Sequence, residues 1–342
     1  MKIALIGYQG SGKSTLFEWL SGIPADPSQS HTGQTAMAAV PDSRIESLAA
    51  IYHPKKVTLA SLELLDTPGL ARTHEGNAAR LALLREAGCL VPVVAAFAGA
   101  DAAAELRSFE EDLLLADMEI VSGRIERLRE SLRKPRPTRE QEQAELAALE
   151  PILTAIESGT PLRDFSFSEA QAKATRSFGL LTQKPKLLVI NTADDQVDPA
   201  PWTRRFEPAQ AVVAVPLRLE LELASLPPAE RAEFEREMGL KESQRDAVLR
   251  AMLAASGQML FFTASDKEVR TWMLRQGGTA LEAAAGIHTD LARGFIRAET
   301  MSCDDLIRLG SEREVKSAHL MRQEPKDYTV RDGDILHIRF SV

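Results

Sequence analysis

Residues 7–14 read GYQGSGKS, a match to the pattern GxxxxGKS. An apolar run, residues 3–6, precedes this stretch, and a helical pattern follows it from Thr15. Strand, glycine-rich loop and helix in this order are the context that a phosphate-binding loop requires. The stretch therefore predicts a P-loop nucleotide-binding domain that begins at the first residues of the chain.

The residue types in this loop suit the chemistry of a nucleoside triphosphate. Glycines let backbone N–H groups turn toward the phosphates, and the following helix N-terminus adds its positive dipole end. We expect Lys13 to face solvent and to reach the β- and γ-phosphate oxygens, and Ser14 to bind Mg²⁺. The predicted nucleotide-binding residues of the loop are Gly10, Ser11, Gly12, Lys13, Ser14 and Thr15.

A second motif, DTPG at residues 66–69, ends the apolar run 62–65. At such a strand end Asp66 is predicted to hold Mg²⁺ through a water molecule, and the Gly69 N–H is predicted to sense the γ-phosphate. Thr32 and Thr35 are both candidates for the switch threonine that completes Mg²⁺ coordination. The sequence does not decide between them, and either is equally explained as a loop hydroxyl.

A third motif, NTAD at residues 191–194, follows the apolar run 187–190, where GTPases read the base with NKxD. Asn191, Thr192 and Asp194 are the predicted base-side residues, with Thr192 in place of the usual Lys. A carboxylate at Asp194 can accept from guanine N1–H and N2–H but faces the unprotonated N1 of adenine. The alternative, a loop carboxylate with no base contact, stays open.

Five short apolar runs, at residues 3–6, 62–65, 90–94, 187–190 and 212–215, predict buried parallel strands separated mostly by helices. This alternation predicts an α/β fold with a mostly parallel sheet and phosphate chemistry at the carboxyl ends of its strands. The predicted P-loop domain is split, comprising residues 1–112 and 177–257.

Residues 113–176 are predicted to form an inserted antiparallel helical hairpin. Apolar residues recur at helical spacing on both sides of a Pro-containing break at residues 134–137. Residues 124–139 hold seven basic side chains against two acidic ones, Glu126 and Glu130. A solvated face paired with the acidic second helix and a nucleic-acid contact are two open interpretations of this cluster.

Residues 258–342 are predicted to form a separate small α+β domain. Asp332-Gly333 between two alternating runs predicts a hairpin, with Leu336, Ile338 and Phe340 facing the core.

The overall composition, 44% hydrophobic and 26% charged with a net charge of −8, is typical of a soluble globular protein. No apolar run approaches the roughly 18 residues of a membrane span, so we expect a cytosolic protein with no membrane partner. Cys89 and Cys303 lack metal-site spacing and are expected to be buried thiols.

The chain resembles the YchF or Obg-like ATPase family over nearly its whole length. The resemblance rests on GKSTLF at 12–17, VPDSR at 40–44, PKK at 54–56, DTPGL at 66–70, LLLAD at 113–117, FFTA at 261–264, KEVR at 267–270, GIHTD at 286–290 and GFIRAE at 294–299. The last four segments, together with residues 327–340, are similar to that family's TGS domain, a ubiquitin-like β-grasp module. The resemblance implies a cytosolic nucleotide switch that associates with the ribosome or ribosomal RNA.

The chain departs from the family pattern at the residues that set base preference and hydrolysis. The family commonly has NxxE where this chain has Asp194, so the resemblance implies ATP whereas the residue indicates GTP. The family's loop histidine is missing, and Leu70 occupies the position that many GTPases use for a water-orienting Gln. The predicted catalytic residues are Lys13, Gly69 and His74. His74 is the remaining candidate for placing the attacking water, and the alternative is that it has a structural role or is simply exposed to solvent.

These observations predict a Mg²⁺-dependent NTPase, acting on ATP or GTP, that works as a ribosome-associated switch with slow turnover in isolation. The alternative is a module that holds nucleotide, or binds RNA, with little hydrolysis of its own.

Overall fold

The computed structural model describes residues 1–29, 31–71, 77–97, 99–196, 198–206, 211–237 and 244–341. The strands are β1 (Lys2–Ile6), β2 (Gln34–Ala39), β3 (Lys56–Thr58), β4 (Ser61–Asp66), β5 (Cys89–Ala96), β6 (Leu187–Thr192), β7 (Ala211–Val215), β8 (Gln258–Ala264), β9 (Glu268–Arg275), β10 (Phe295–Ser302), β11 (Arg322–Glu324) and β12 (Asp334–Phe340). Short 3₁₀ helices span Pro27–Gln29, Leu83–Glu86 and Leu162–Asp164.

The α-helices are α1 (Lys13–Ser21), α2 (Arg44–Tyr52), α3 (Asn77–Ala82), α4 (Ala102–Ser131), α5 (Arg139–Glu157), α6 (Glu169–Thr175), α7 (Ala200–Phe206), α8 (Leu217–Ser225), α9 (Pro228–Glu237), α10 (Gln244–Ala255), α11 (Ala280–Ile287), α12 (Thr289–Arg293), α13 (Cys303–Leu309) and α14 (Glu312–Ser317). Within the described ranges, no helix is both long and apolar enough to cross a membrane.

The chain divides into two compact units. The first comprises Met1–Ala36 and Glu63–Arg245, and the second comprises Met37–Leu62 and Asp246–Val342. This division differs from the boundaries predicted from sequence, because residues 37–62 and 246–257 go with the terminal unit. The reason is apolar burial: Ile45 and Leu48 of α2 pack in one core with Phe262, Val269 and Ile335.

The first unit is built on a six-stranded sheet in the order β2-β4-β1-β5-β6-β7. The pairs β1/β4, β1/β5, β5/β6 and β6/β7 are parallel. All five predicted strands are therefore present as neighbours, and the predicted α/β fold is confirmed. The carboxyl ends of β1, β4 and β6 carry the three sequence motifs, so the topology brings these motifs to one edge of the sheet.

Two long helices that pack against each other, α4 and α5, follow β5 in the same unit. Val121, Ile125, Leu149 and Ile156 are buried in the core that the two helices share. Their helical spacing in the sequence predicts this burial. However, α4 begins at Ala102, so residue 113, the predicted start of the insert, lies inside this 30-residue helix. Asp101 sets the beginning, because its carboxylate accepts from Ala103 N at 3.0 Å and caps the first turn.

The second unit contains a six-stranded mixed sheet in the order β11-β10-β12-β8-β9-β3. The hairpin predicted around Asp332-Gly333 is wrong: β12 pairs antiparallel with β10 and parallel with β8. The Asp332 carboxylate accepts from Leu260 N at 3.0 Å, and Gly333 N donates to Leu260 O at 2.9 Å, so this turn binds β8.

The predicted inward face of β12 is only partly correct. Leu336 and Ile338 are buried, but Phe340 is 46% exposed, because it lies at the last position of the strand. Cys89 and Cys303 are buried free thiols as expected, and burial raises the pKa of each to about 12.

Candidate functional site

A cavity of about 420 Å³ opens at the carboxyl edge of the first sheet. The loop between β1 and α1 contributes Gly10, Lys13 and Ser14, and the segment after β4 contributes Asp66 and Gly69. The structure thus brings the residues of the first two motifs together around one space. Its size and polar walls suit a group of phosphates with a metal ion.

The N-terminus of α1 is left open toward this edge. Gly12 is the N-cap with φ +102°, and it supplies no side-chain cap. A Cβ at this position would collide with the Asn191 amide, so only glycine fits. The first N–H groups of a helix have no intrahelical partner, so this helix start has donors available for an anion.

Lys13 is buried, with 6% of the residue exposed, so the expectation that it faces solvent is wrong. Its Nζ donates to the Tyr8 carbonyl at 3.2 Å. Burial lowers the pKa of Lys13, while the Asp66 and Glu105 carboxylates oppose this shift. An ammonium group that has already lost most of its water is well suited to pair with a phosphate.

Ser14 and Asp66 are in direct contact: Ser14 Oγ donates to Asp66 Oδ2 at 2.6 Å. Asp66 Oδ1 is buried and has no hydrogen-bond partner among the described residues. Burial raises the pKa of Asp66, and the Ser14 hydrogen bond and the Lys13 charge oppose it. An unpartnered carboxylate oxygen beside a hydroxyl matches the oxygen ligands that Mg²⁺ prefers.

Mg²⁺ would be held at this place by Ser14, Asp66 and the phosphates, where it would neutralise charge on the β- and γ-phosphate oxygens. This donor set fits an ion that is bound by few protein oxygens and by its substrate. The described part of the chain holds no group of three or more His, Cys, Asp or Glu side chains that would suit another metal.

The other predicted residues of this cavity are less closely placed. Thr32 and Thr35 do not line it, although their neighbours His31 and Gln34 do. The Thr32 hydroxyl is 3.5 Å from the Gln29 carbonyl, and Thr35 is exposed on β2. The choice of switch threonine thus stays a prediction, and His74 lies outside the described residues.

Gly69 packs closely against the first motif. A Cβ on Gly69 would lie 2.9 Å from Gln9 Cγ and 3.2 Å from Lys13 Nζ, so a larger residue would crowd both side chains. The next residue, Leu70, is buried in the core, where its N donates to the Gly7 carbonyl at 3.0 Å. A buried alkyl group cannot orient the attacking water.

A second cavity, of about 380 Å³, lies on the other side of the phosphate-binding loop. The predicted base-side residues Asn191, Thr192 and Asp194 line it together with Gly12 and Thr15. Asn191 Nδ2 donates to the Ser11 carbonyl at 3.1 Å, and Asn191 Oδ1 accepts from Leu217 N at 3.2 Å. Asn191 therefore holds the loop against α8 and shapes the cavity.

Asp194 forms an ion pair with Arg218 of α8, whose Nη2 is 2.5 Å from Asp194 Oδ2. Arg218 lines the same cavity. Arg218 is not identifiable from the sequence, because nothing in the NTAD motif indicates which basic residue of a distant helix lies beside it. The Thr192 hydroxyl is turned away to the Gln196 carbonyl, at 3.1 Å.

A buried polar network joins the loop, the segment after Leu70 and the long helix α4. The Tyr8 hydroxyl donates to Asp112 Oδ2 at 3.1 Å, and Asn77 Nδ2 lies 3.4 Å from the same oxygen. Asn77 also accepts from Ala71 N at 2.9 Å and donates to the Ala71 carbonyl at 3.0 Å. These bonds connect the loop after β1 and the segment after β4 to α4.

The basic cluster of the hairpin divides into two parts. On the helices, Arg124 forms a bidentate pair with Glu145, both bonds at 2.7 Å, and Arg129 pairs with Glu150 at 2.9 Å. At the turn, the cations are exposed and form no ion pair with another described residue: Arg133, Lys134, Arg136 and Arg139. The solvated interpretation thus holds for the helices, and the turn keeps a concentrated positive charge.

Comparison with known proteins agrees with this geometry. The family model MMR_HSR1, described as "50S ribosome-binding GTPase", matches residues 2–122, and YchF-GTPase_C, described as "Protein of unknown function (DUF933)", matches residues 259–341. The chain is 33% identical to "Ribosome-binding ATPase YchF" of Haemophilus ducreyi, covering 100% of this chain and 99% of that protein. The chain belongs to the YchF and Obg-like ATPase family.

Further members and one solved structure extend the comparison. "Obg-like ATPase 1" of Oryza sativa subsp. japonica is 32% identical, over 100% of this chain and 92% of its own length. The structure of the Schizosaccharomyces pombe YchF GTPase superposes with a TM-score of 0.84 at 24% identity, covering 99% of this chain and 97% of that one. The fold of the YchF family thus extends over both units.

Within this YchF-family chain, the structure adds cavity residues that neither motif contains. Arg80 of α3 lines the phosphate cavity, and its Nη1 donates to the Gly69 carbonyl at 2.7 Å. No sequence signal distinguishes Arg80 from other basic residues, since its position depends on where α3 begins. Asp112 was missed for the same kind of reason, because it lies within a long helix.

Proposed function

We propose that this chain is a Mg²⁺-dependent P-loop NTPase that acts as a switch on the ribosome. The observation that carries this proposal is the single cavity in which Lys13, Ser14, Asp66 and Gly69 meet. These residues supply the phosphate lysine, two oxygen ligands for Mg²⁺ and a backbone N–H for the γ-phosphate.

The ribosome is proposed as the partner because several relatives carry "Ribosome-binding ATPase" as their name, at 32–33% identity over nearly the whole chain. The exposed cations at the hairpin turn, Arg133, Lys134 and Arg136, support a contact with an RNA backbone. A net charge of −8 makes such a concentrated positive patch stand apart from the rest of the surface.

We infer that ATP is the preferred substrate. The Asp194 carboxylate forms an ion pair with Arg218, so one of its two oxygens is engaged. Reading guanine would require this carboxylate to accept from N1–H and N2–H in competition with Arg218. The names of the YchF and Obg-like relatives as ATPases support the same inference.

The switch would act through the buried network around Asp112. Binding of the γ-phosphate would order the segment that contains Gly69, and Ala71 is joined to α4 through Asn77. Helix α4 continues to Ser131, next to the basic turn. The nucleotide state would thereby bias the position of the hairpin.

The test is nucleotide binding and ribosome binding by Lys13→Ala, with Lys13→Met as a second variant that keeps part of the side-chain length. Calorimetry is expected to show loss of ATP binding in both variants, while circular dichroism and the melting temperature report an intact fold. Ribosome co-sedimentation is expected to lose its dependence on ATP. Unchanged ATP affinity in a folded variant would contradict the proposed phosphate site.

A second candidate function is a nucleotide-holding scaffold without useful hydrolysis. The observation that favours it is Leu70, which is buried where many GTPases have a water-orienting Gln. Single-turnover hydrolysis of radiolabelled ATP, with and without purified ribosomes, separates the two. Ribosome-stimulated release of phosphate supports the switch, and stable ATP in both samples supports the scaffold.

A further inference from the structure

Two Lys or Arg side chains line the phosphate cavity within the described residues, Lys13 and Arg80. Lys13 belongs to the phosphate-binding loop, whereas Arg80 belongs to α3 and to neither motif. Arg80 is partly buried, and its guanidinium is the second cation of this space. A cation that is partly shielded from water interacts more strongly with a developing negative charge than an exposed one does.

Both cations lie close to Gly69. Arg80 Nη1 donates to the Gly69 carbonyl at 2.7 Å, and a Cβ on Gly69 would lie 3.2 Å from Lys13 Nζ. Gly69 is the residue whose N–H is proposed to sense the γ-phosphate. Arg80 is therefore next to the γ-phosphate end of the site. A guanidinium has five N–H donors, so the bond to Gly69 leaves others for phosphate oxygens.

The beginning of α3 also helps to position Arg80. It follows Asn77 by one helical turn, and Asn77 is bonded to both the N–H and the carbonyl of Ala71. Asn77 additionally lies 3.4 Å from the buried Asp112 carboxylate. A donor fixed by its own helix needs little reorganisation when charge develops, which is the condition for electrostatic catalysis.

We propose that Arg80 is an internal catalytic arginine that contacts the γ-phosphate oxygens and stabilises the transition state of hydrolysis. This inference rests on the proposed NTPase function. In the reaction, a water oxygen bonds to Pγ and the bond between Pγ and the β,γ-bridging oxygen breaks. The bridging oxygen keeps the electron pair and stays on the diphosphate, and a water proton passes to the released phosphate.

Charge grows on the bridging and γ-phosphate oxygens as this bond breaks, and Arg80 donates to it from within the same chain. The role suits this site because Leu70 is buried and supplies no polar group to the attacking water. Charge stabilisation by Arg80 lowers the barrier by a route that does not depend on a water-orienting Gln.

The test measures binding of a transition-state analogue, aluminium fluoride with ADP and Mg²⁺, to Arg80→Ala, Arg80→Lys and the wild type. We expect Arg80→Ala to bind ADP with wild-type affinity but to lose aluminium fluoride-dependent binding by at least tenfold. Single-turnover ATP hydrolysis should fall by at least tenfold as well. Arg80→Lys should recover only part of the analogue binding and of the hydrolysis rate, because the lysine ammonium is a point charge and lacks the planar, forked donors of a guanidinium.

Arg107→Ala is the matched control, because Arg107 is exposed on α4 in the same unit. Undiminished analogue binding by folded Arg80→Ala would overturn the inference. Equal losses of ADP and analogue binding, with a lower melting temperature, would overturn it too, since they indicate a structural role. Failure of the wild type to bind any nucleotide would instead refute the proposed function.

Discussion

Ser14 Oγ donates to Asp66 Oδ2 at 2.6 Å, and this bond joins the two motifs that are predicted to bind Mg²⁺. Burial raises the pKa of Asp66, and the Ser14 hydrogen bond acts against this rise. The pair thus links metal binding to protonation of one carboxyl group. Mg²⁺ binds the carboxylate and not the carboxylic acid.

The first prediction is that Mg²⁺-dependent ATP binding weakens as the pH falls through the raised pKa of Asp66, above the ordinary value of 3.8. Affinity is full above that pKa, because the group is then ionised. In the nucleotide-free protein the sign is opposite: the folded state gains stability as the pH falls through the same pKa. Calorimetry at a series of pH values measures both.

Ser14→Ala and Asp66→Asn are the paired variants for this experiment. Ser14→Ala should move the loss of Mg²⁺ dependence to higher pH, because it removes the hydrogen bond that favours the carboxylate. Asp66→Asn should abolish the part of the pH dependence that comes from this carboxyl group. The part that remains then reports protonation of the nucleotide itself. A wild-type pH profile in Asp66→Asn would contradict the metal assignment.

The second prediction concerns the base. Arg218→Ala should release Asp194 and raise GTP affinity relative to ATP, because the free carboxylate can then accept from guanine. Asp194→Asn should weaken GTP far more than ATP if the carboxylate reads guanine, since an unpaired buried donor costs roughly 1–3 kcal/mol.

Calorimetry with both nucleotides on the two single variants and the double variant measures this coupling. The double variant should lose the gain in GTP affinity seen in Arg218→Ala. Equal changes for ATP and GTP in all three variants would exclude Asp194 and Arg218 from base recognition.

The third prediction concerns the hairpin turn. Charge reversal of Arg133, Lys134 and Arg136 should lower ribosome affinity and flatten its salt dependence. Each lost phosphate contact removes about 0.9 from the logarithmic slope for duplexes and about 0.7 for single strands. Co-sedimentation with ribosomes at several salt concentrations measures the slope.

Charge reversal of Arg107, Lys173 and Arg176, which are exposed elsewhere in the same unit, is the control with the same change in net charge. The same loss of slope in both triple variants would mean that net charge, not the turn, governs the contact.

The fourth prediction concerns the link between nucleotide and hairpin. Tyr8→Phe and Asp112→Asn should leave ATP affinity within about threefold of wild type but reduce the ATP dependence of ribosome binding. The physical reason is that each change removes or weakens a bond between the phosphate-binding loop and α4. Coupling between two sites is typically about 1–3 kcal/mol, and loss of a large part of it is measurable.

Ribosome binding with ADP, with a non-hydrolysable ATP analogue and without nucleotide measures this dependence. An undiminished difference between the nucleotide states in both variants would show that the Asp112 network does not transmit the switch.

The fifth prediction is slow turnover by the isolated protein, within about tenfold of 10⁻⁴ per second, with acceleration by ribosomes. The reason is that Leu70 cannot orient the attacking water. His74→Ala should reduce the stimulated rate if His74 takes this role. His31→Ala is the matched control, because His31 lines the phosphate cavity.

Single-turnover assays with and without ribosomes give both rates. Fast turnover without ribosomes would refute the first part of the prediction, and an unchanged stimulated rate in His74→Ala would exclude His74. A loss in His31→Ala alone would assign the role to His31.

Local sequence was sufficient for the parts of the site that lie within one motif. The loop at residues 7–14 is defined by glycines and by the flanking strand and helix, so Lys13 and Ser14 were identified without tertiary information. The five buried strands were equally evident, because parallel strands covered on both faces are continuous apolar runs. The edge at which the motifs meet followed from this topology.

Tertiary structure decided everything that depends on contacts between distant segments. Sequence could not reveal that Arg218 pairs with Asp194, that Arg80 lines the cavity beside Gly69 or that Lys13 is buried, because each depends on the packing of separate helices and loops. Nor could it show that residues 37–62 join the second unit or that β12 pairs with β10 and β8. Chemistry within a motif is local, whereas burial, ion pairing and strand partnership are set only when the chain is folded.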